Sequence, residues 1–272
     1  MNDLTSTTDH PAPTTATPSP SLPRAVVALS RAELVKLLRV PAFAIPTLAF
    51  PTLFFAMFGL PNVGRTLAGV DAGAYLVVSY AAYSLLSVAL FSFGVSVASE
   101  RALGWSRLLR VTPMPPAAYL LAKVVAALVT GLATITVLVT FAALVGHVRF
   151  EAGVLALVVL KLLAGMTPFV ALGLFLGFSV GPTAAAPVAN LVVLPLAFMS
   201  GLFVPLSLGP AAIREIAPYS PAYHFAQVAW STIGVRSSGA EVTHWLWLAG
   251  WGALFAGLAL WAYRRDEDRR YG

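Results

Sequence analysis

YLLAKVVAALVTGLATITVLVTFAALVG, residues 119–146, carries one charged side chain, Lys123 near its start, and otherwise gives water almost nothing to hold. It exceeds the roughly 20 residues needed to cross a hydrocarbon core about 30 Å thick. In that solvent the backbone must pair its own N–H and C=O groups, which admits helices or closed barrels. The stretch is continuously apolar rather than alternating, so it reads as a helix. Runs of the same kind lie on either side, and hydropathy predicts spans near 41–60, 72–98, 119–146, 152–180, 183–206 and 243–263.

The whole composition agrees. Of 272 residues, 58% are hydrophobic and 10% charged, against about 25% charged in a soluble domain. So few charges cannot cover a water-soluble surface. There is no cysteine, so no disulfide framework or thiolate metal site is available. In a membrane protein the net charge of +6 matters through its distribution, and nucleic acid is not an expected partner. The excess of Arg over Lys points to a GC-rich bacterial genome.

Residues 1–23 are rich in Thr, Pro, Ser and Ala, without apolar periodicity, and read as a disordered tail rather than a signal peptide. From 24 to 40 the pattern turns helical. Val26, Val27, Leu34, Leu37 and Leu38 project to one face, and Arg24, Arg31, Lys36 and Arg39 cluster opposite. A basic amphipathic helix suits the membrane interface, its cations toward anionic headgroups. The bland alternative is a soluble helix packed on a partner.

Orientation follows from Lys and Arg. Arg24, Arg31, Lys36 and Arg39, then Arg101, Arg107, Arg110 and Lys123, then Arg264, Arg265, Arg269 and Arg270 fall on one side. Arg65, Arg149, Arg214 and Arg236 fall on the other, and Lys161 lies within a span. The positive-inside rule predicts that both termini are cytoplasmic.

Catalytic signatures are missing. No lysine precedes Ser or Thr, so there is no G-x-x-x-x-G-K-[ST] phosphate loop. His10, His147, His224 and His244 show no H-x-x-x-H spacing, so metal ligation is not expected. No G-x-S-x-G elbow or close carboxylate pair lies in a span. The chain is expected not to be an enzyme and to hold no cofactor.

The connection after the second span, residues 99–118, begins SERALGWSRLLRVTPMPP. A short helix is predicted from Glu100 to about Arg110, with an acid in its first turn and a cation in its last, before the prolines stop it. Leu103, Trp105, Leu108 and Leu109 give it apolar surface amid three arginines. Composition alone fits equally a solvated loop that merely enforces topology. The order of residues, however, E-R-x-x-G-x-x-x-x-L-x-x-T-P, resembles the intracellular coupling segment of ABC-2-type transporter permeases. It is realised as Glu100, Arg101, Gly104, Leu109, Thr112 and Pro113. A second resemblance lies at LPLAFMSGLFVPL, residues 194–206, continuing to Pro210, Pro218 and Pro221. There Ser200, Gly201, Pro205, Pro218 and Pro221 are placed to interrupt helices near the outer leaflet.

The resemblance covers nearly all of the chain beyond the tail and implies an all-α integral membrane protein. Six transmembrane helices would follow the interfacial helix, with short re-entrant outer helices between spans five and six. It further implies a dimer with a second permease copy or paralogue in the bacterial cell membrane. The energy would come from a separate ABC ATP-binding subunit holding ATP and Mg, docked on Glu100, Arg101, Gly104, Trp105, Arg107, Leu108, Arg110, Thr112 and Pro113. The exported molecule would be drug-like, lipid or glycan.

Polar residues in spans are the remaining candidates. Lys161 would lie roughly 12 Å deep, where an ionisable group is a functional candidate by default or snorkels outward toward Glu151. Ser79, Tyr83 and Ser87 recur every four residues and, with Asn190, are candidates for a substrate path, against the plainer reading of helix-to-helix hydrogen bonds. The competing functions are an ion-coupled secondary transporter using Lys161 and a non-transporting immunity or anchor component.

Overall fold

The computed structural model describes residues 21–39, 41–104 and 116–271. The tail as far as residue 20, and Trp105, Arg107, Leu108, Arg110, Thr112 and Pro113 of the predicted coupling segment, lie outside the described residues.

Helix α1 (Leu22–Arg39) is followed by α2 (Pro41–Phe54), which continues through a π-helical turn (Phe55–Gly59) and a 3-10 turn (Leu60–Asn62). A two-residue hairpin, β1 (Thr66–Leu67) and β2 (Val70–Asp71), pairs Thr66 with Asp71 and leads into α3 (Ala72–Ala89). The Asp71 carboxylate caps that helix, accepting from the Ala74 N–H at 3.0 Å. A π-helical turn (Leu90–Val95) joins α3 to α4 (Ser96–Ala102) without a break. Then come α5 (Pro116–Leu144), α6 (Ala152–Gly165), α7 (Thr167–Ser179), α8 (Pro182–Met199), α9 (Ala211–Ile216), α10 (Pro221–Thr232) and α11 (Glu241–Tyr271).

Five helical segments among the described residues are long and apolar enough to cross a membrane: Ala72–Ala102, Ala118–Leu144, Ala152–Ser179, Pro182–Met199 and Glu241–Asp266. The first is 78% buried within the chain, the others 22–33%, so α3 with its extension is the central post. Its close neighbour is α7. A Cβ on Gly173 or Gly177 would stand 2.7 and 2.8 Å from the Ala89 and Phe93 carbonyls, so glycine is what lets the two backbones meet.

One span carries an interior turn and another ends early, each for a local reason. The predicted fourth span turns at Met166, because Pro168 cannot donate to the Ala164 carbonyl; the Thr167 hydroxyl takes that carbonyl instead, at 2.7 Å. The predicted fifth span, 183–206, stops at Met199. Gly201 adopts φ +85°, Leu202 N–H donates to Ala197 O and Gly201 N–H to Phe198 O. That pair of bonds closes the helix in a Schellman motif.

Candidate functional site

One group of charged side chains gathers at an end of the bundle, around Glu100 and Arg101. Both stand in the last turn of α4. α4 runs continuously from the second span and ends at Ala102, so Glu100 stands in a last turn and not in the first turn of a new helix; the predicted helix from 105 to Arg110 lies outside the described residues. Gly104 follows at φ +75°, its N–H donating to Arg101 O at 3.2 Å. Only glycine enters that left-handed conformation freely, so the E-R-x-x-G spacing places two charges in a final helical turn and the stop just beyond it.

Glu100 is 8% exposed. Its Oε1 accepts from Lys36 Nζ of α1 at 2.6 Å, Lys123 Nζ of α5 at 2.9 Å and Ser96 Oγ at 2.9 Å. Its Oε2 accepts from the Tyr119 hydroxyl. Lys123, with a side chain only 2% exposed, also donates to Glu33 Oε1 at 2.9 Å and to Ser96 Oγ at 2.9 Å. Two carboxylates thus neutralise two ammonium groups, and each buried lysine proton has an acceptor, the condition under which buried charge is tolerated. One carboxylate ties α1 and α5 to the central post.

Arg101 points to the other side. Its guanidinium makes a two-point ion pair with Asp266 of α11, one arm at 3.1 Å, and donates to the Gly177 carbonyl at the end of α7. The plane lies over the Phe178 ring, 5.7 Å from its centroid. Adjacent residues therefore clamp α4 to four other helices. Leu103, 85% exposed, is the side chain here that faces outward.

The interfacial helix forms over nearly the predicted range but packs differently. Ala25 and Ser30 are buried, with the Ser30 hydroxyl donating to Ala122 O at 3.4 Å, and Val27 is 68% exposed. Arg24, Arg31 and Arg39 are exposed as expected. Lys36, expected to face headgroups, keeps half of its side chain exposed and also reaches Glu100.

At the opposite end, the five predicted break residues do stand where helices are interrupted. Ser200 is the C-cap of α8, Gly201 its left-handed stop, and Pro205 precedes a 3-10 turn at Leu206–Leu208. Pro218 lies in the 3-10 turn Ala217–Tyr219 and Pro221 opens α10. Every residue of α10 from Pro221 to Trp230 is buried, against α3, α6, α8 and α11. His224 and His244, distant in sequence, meet with their Nδ1 atoms 2.8 Å apart. His224 Nε2 bonds the Pro218 carbonyl and His244 Nε2 bonds Ser237 Oγ, both at 2.8 Å. Since a carbonyl only accepts, the chain of protons is set: Ser237 to His244, His244 to His224, His224 to Pro218. Burial pushes the His224 pKa down to about 4.

The path candidates do not converge. Ser79 is fully buried within the chain, donating to Tyr75 O and accepting from Trp230 Nε1 at 3.0 Å, as in the plainer reading of helix-to-helix hydrogen bonds. Tyr83 packs on Phe203, ring centroids 4.6 Å apart, and the Ser87 hydroxyl is buried one turn further along the same helix. Asn190 is exposed on α8. Lys161 turns to Glu241 at the start of α11, 2.8 Å from both carboxylate oxygens, rather than to Glu151. Glu33, Lys123, Asp266 and Glu241 were the partners that sequence reasoning missed.

The chain matches the ABC-2 type transporter family over residues 24–233, from α1 through the end of α10. It is also 28% identical over 240 residues to a Bacillus subtilis (strain 168) protein named "Putative transport permease YvfS", an alignment covering 88% of this chain and 96% of that one. A bundle of apolar helices of spanning length, an E-R-x-x-G helix stop that clamps its neighbours and a match across most of its length lead to one conclusion: the chain belongs to the ABC-2 type transporter family.

Proposed function

We propose that this protein is the passive membrane subunit of an ATP-driven exporter, moved by a separate ATP-binding subunit that docks on the segment after Gly104. The observation that carries this reading is the double clamp at Glu100 and Arg101. A force applied just beyond Gly104 is delivered to α4, and from α4 to α1 and α5 through Glu100 and to α7 and α11 through Arg101. In this arrangement Glu100 and Arg101 transmit, while Leu103, Trp105, Arg107, Leu108 and Arg110 make the contact and Thr112 and Pro113 end it.

The same reading takes α2 with its π and 3-10 continuation as the first of six spans. It sets both termini and the Glu100 cluster on the cytoplasmic side by the charge distribution. It treats α9 and α10 as re-entrant, since a buried short helix between spans is tolerated where it packs against protein. A second copy or paralogue completes the pathway, and the cargo is a drug-like, lipid or glycan molecule. The family membership and the relative's name as a transport permease support transport. Lys161 gives the ion-coupled alternative little support, because its ammonium is paired with Glu241 at the start of a helix.

The test is ATP hydrolysis by the complex with the ATP-binding subunit, purified together in detergent. Replacing Gly104 and Arg107 should abolish stimulation of hydrolysis by the membrane subunit while leaving membrane insertion intact. Normal stimulation in the double variant refutes the docking assignment.

A further inference from the structure

A cavity of about 240 Å³ opens beside the Glu100 cluster, between α1, the π-turn and α4 on one side and α5 on the other. Its two ends differ. Glu33, Lys36 and Ser99 line one; Phe91, Ala126 and Thr130 line the other. Along the central post, Phe91 lies about 12 Å deeper than Ser99 at 1.5 Å per residue. On α5 the order runs the opposite way, with Lys123 near the start and Thr130 further in, so both walls agree on which end is polar.

The π-turn shapes this slot. Its Gly94 packs against the Gly173 carbonyl of α7, and the opposite side presents Phe91, Ser92 and Val95 to the cavity. A wide turn of this kind inside a helix commonly marks a functional site. The volume is below the roughly 300–1,000 Å³ of sites for drug-sized ligands, but a slot with one polar end and this volume holds a segment of a single hydrocarbon chain.

The polar end sets the headgroup. Glu33, Lys36, Glu100 and Lys123 sum to zero charge, so an anionic head finds no net attraction from the cluster. Lys36 is half exposed, and the second oxygen of Glu33 stands 3.9 Å from its ammonium. A head carrying both charges can place its phosphate on Lys36 and its ammonium on that Glu33 oxygen. We infer that this slot binds one acyl chain of a zwitterionic phospholipid of the phosphatidylethanolamine type, with the headgroup seated between Glu33 and Lys36. The site is independent of what drives transport, and its occupant would brace α1 against α5.

The test uses the full-length protein in vesicles containing phosphatidylethanolamine or phosphatidylglycerol, each with the same diazirine-bearing acyl chain, and maps photo-adducts by mass spectrometry. Adducts should concentrate on Phe91, Val95, Ala126 and Thr130, about tenfold more from phosphatidylethanolamine, the ratio of a modest affinity difference. Val125 and Val129, exposed on the outer face of α5, report ordinary lipid contact. Ala126→Trp and Thr130→Phe should each remove the slot adducts and leave those at Val125 and Val129. Equal labelling by the two lipids, adducts spread evenly around α5, or slot adducts that survive both fillings would overturn the assignment.

Discussion

Replacing Glu100 with Gln keeps the shape of the side chain and removes the carboxylate through which α4 holds Lys36 of α1 and Lys123 of α5. Lys36, with a side chain 52% exposed, returns to water at little cost, since exposed pairs contribute about 0–1 kcal/mol. Lys123 cannot, with 2% of its side chain exposed. Breaking a buried pair from one side costs about 3–5 kcal/mol. Glu33 still lies 2.9 Å from the ammonium, which puts the expected loss at the lower end, about 3 kcal/mol. At about 2–4 °C per kcal/mol for a chain of this size, the midpoint of thermal unfolding should fall by about 6–12 °C. The assay is unfolding in detergent followed by intrinsic tryptophan fluorescence. The mechanism makes a sharper demand on the double variant. Adding Lys123→Met removes the buried charge that has lost one of its two carboxylates, so the pair should recover part of the loss instead of adding to it. A single variant as stable as the parent, or strictly additive losses, would refute the claim that Glu100 holds these helices through charge.

Lys161→Met should lower stability by about 1 kcal/mol or less, because Glu241 is partly exposed and can be resolvated; stimulation of the partner's ATPase should persist, and its strict loss would revive the ion-coupled reading. At the opposite end, the neutral imidazole of His224 is the folded form. Its folded pKa of about 4 lies below the ordinary value of about 6.5, so it contributes stability that is complete above pH 6.5 and is lost as pH falls through 4. The Trp247 ring stacks on His224 at 5.0 Å between centroids, so an acid transition in tryptophan emission centred near pH 4 and missing from His224→Phe is expected. A midpoint between pH 6 and 7 would contradict the buried, neutral pair.

What sequence could reveal here follows the range of the forces involved. Apolar runs report hydrophobicity residue by residue, so five helices long and apolar enough to span and the amphipathic first helix were legible, and the breaks at Ser200–Gly201 and Pro221 followed from residue chemistry. The stop at Met199 rather than 206 depended on Gly201 taking a left-handed conformation, which a hydropathy window averages away. The turn at Met166 was signalled only by Thr167–Pro168. Polar pairing was not legible. Arg101 meets Asp266 and His224 meets His244 because of tertiary packing, and no local spacing carries that information. Glu100 could be singled out from the motif, but its place in the helix could not: it stands in the last turn of a helix continuous with the second span and faces neighbouring helices. Rare charges near the ends of spans were the available clue to Glu33, Lys123 and Glu241, since each must find a counter-ion at the membrane boundary.

The central claim is that Arg101 and Glu100 pass motion on without making the docking contact. The most direct measurement compares ATP hydrolysis by the complex with that of the isolated ATP-binding subunit, alongside the stoichiometry of the purified complex, for Arg101→Ala. The complex should assemble in the parent ratio, with its hydrolysis fallen to the rate of the isolated subunit. Full stimulation with the Asp266 and Gly177 contacts gone, or loss of the partner altogether, would contradict it.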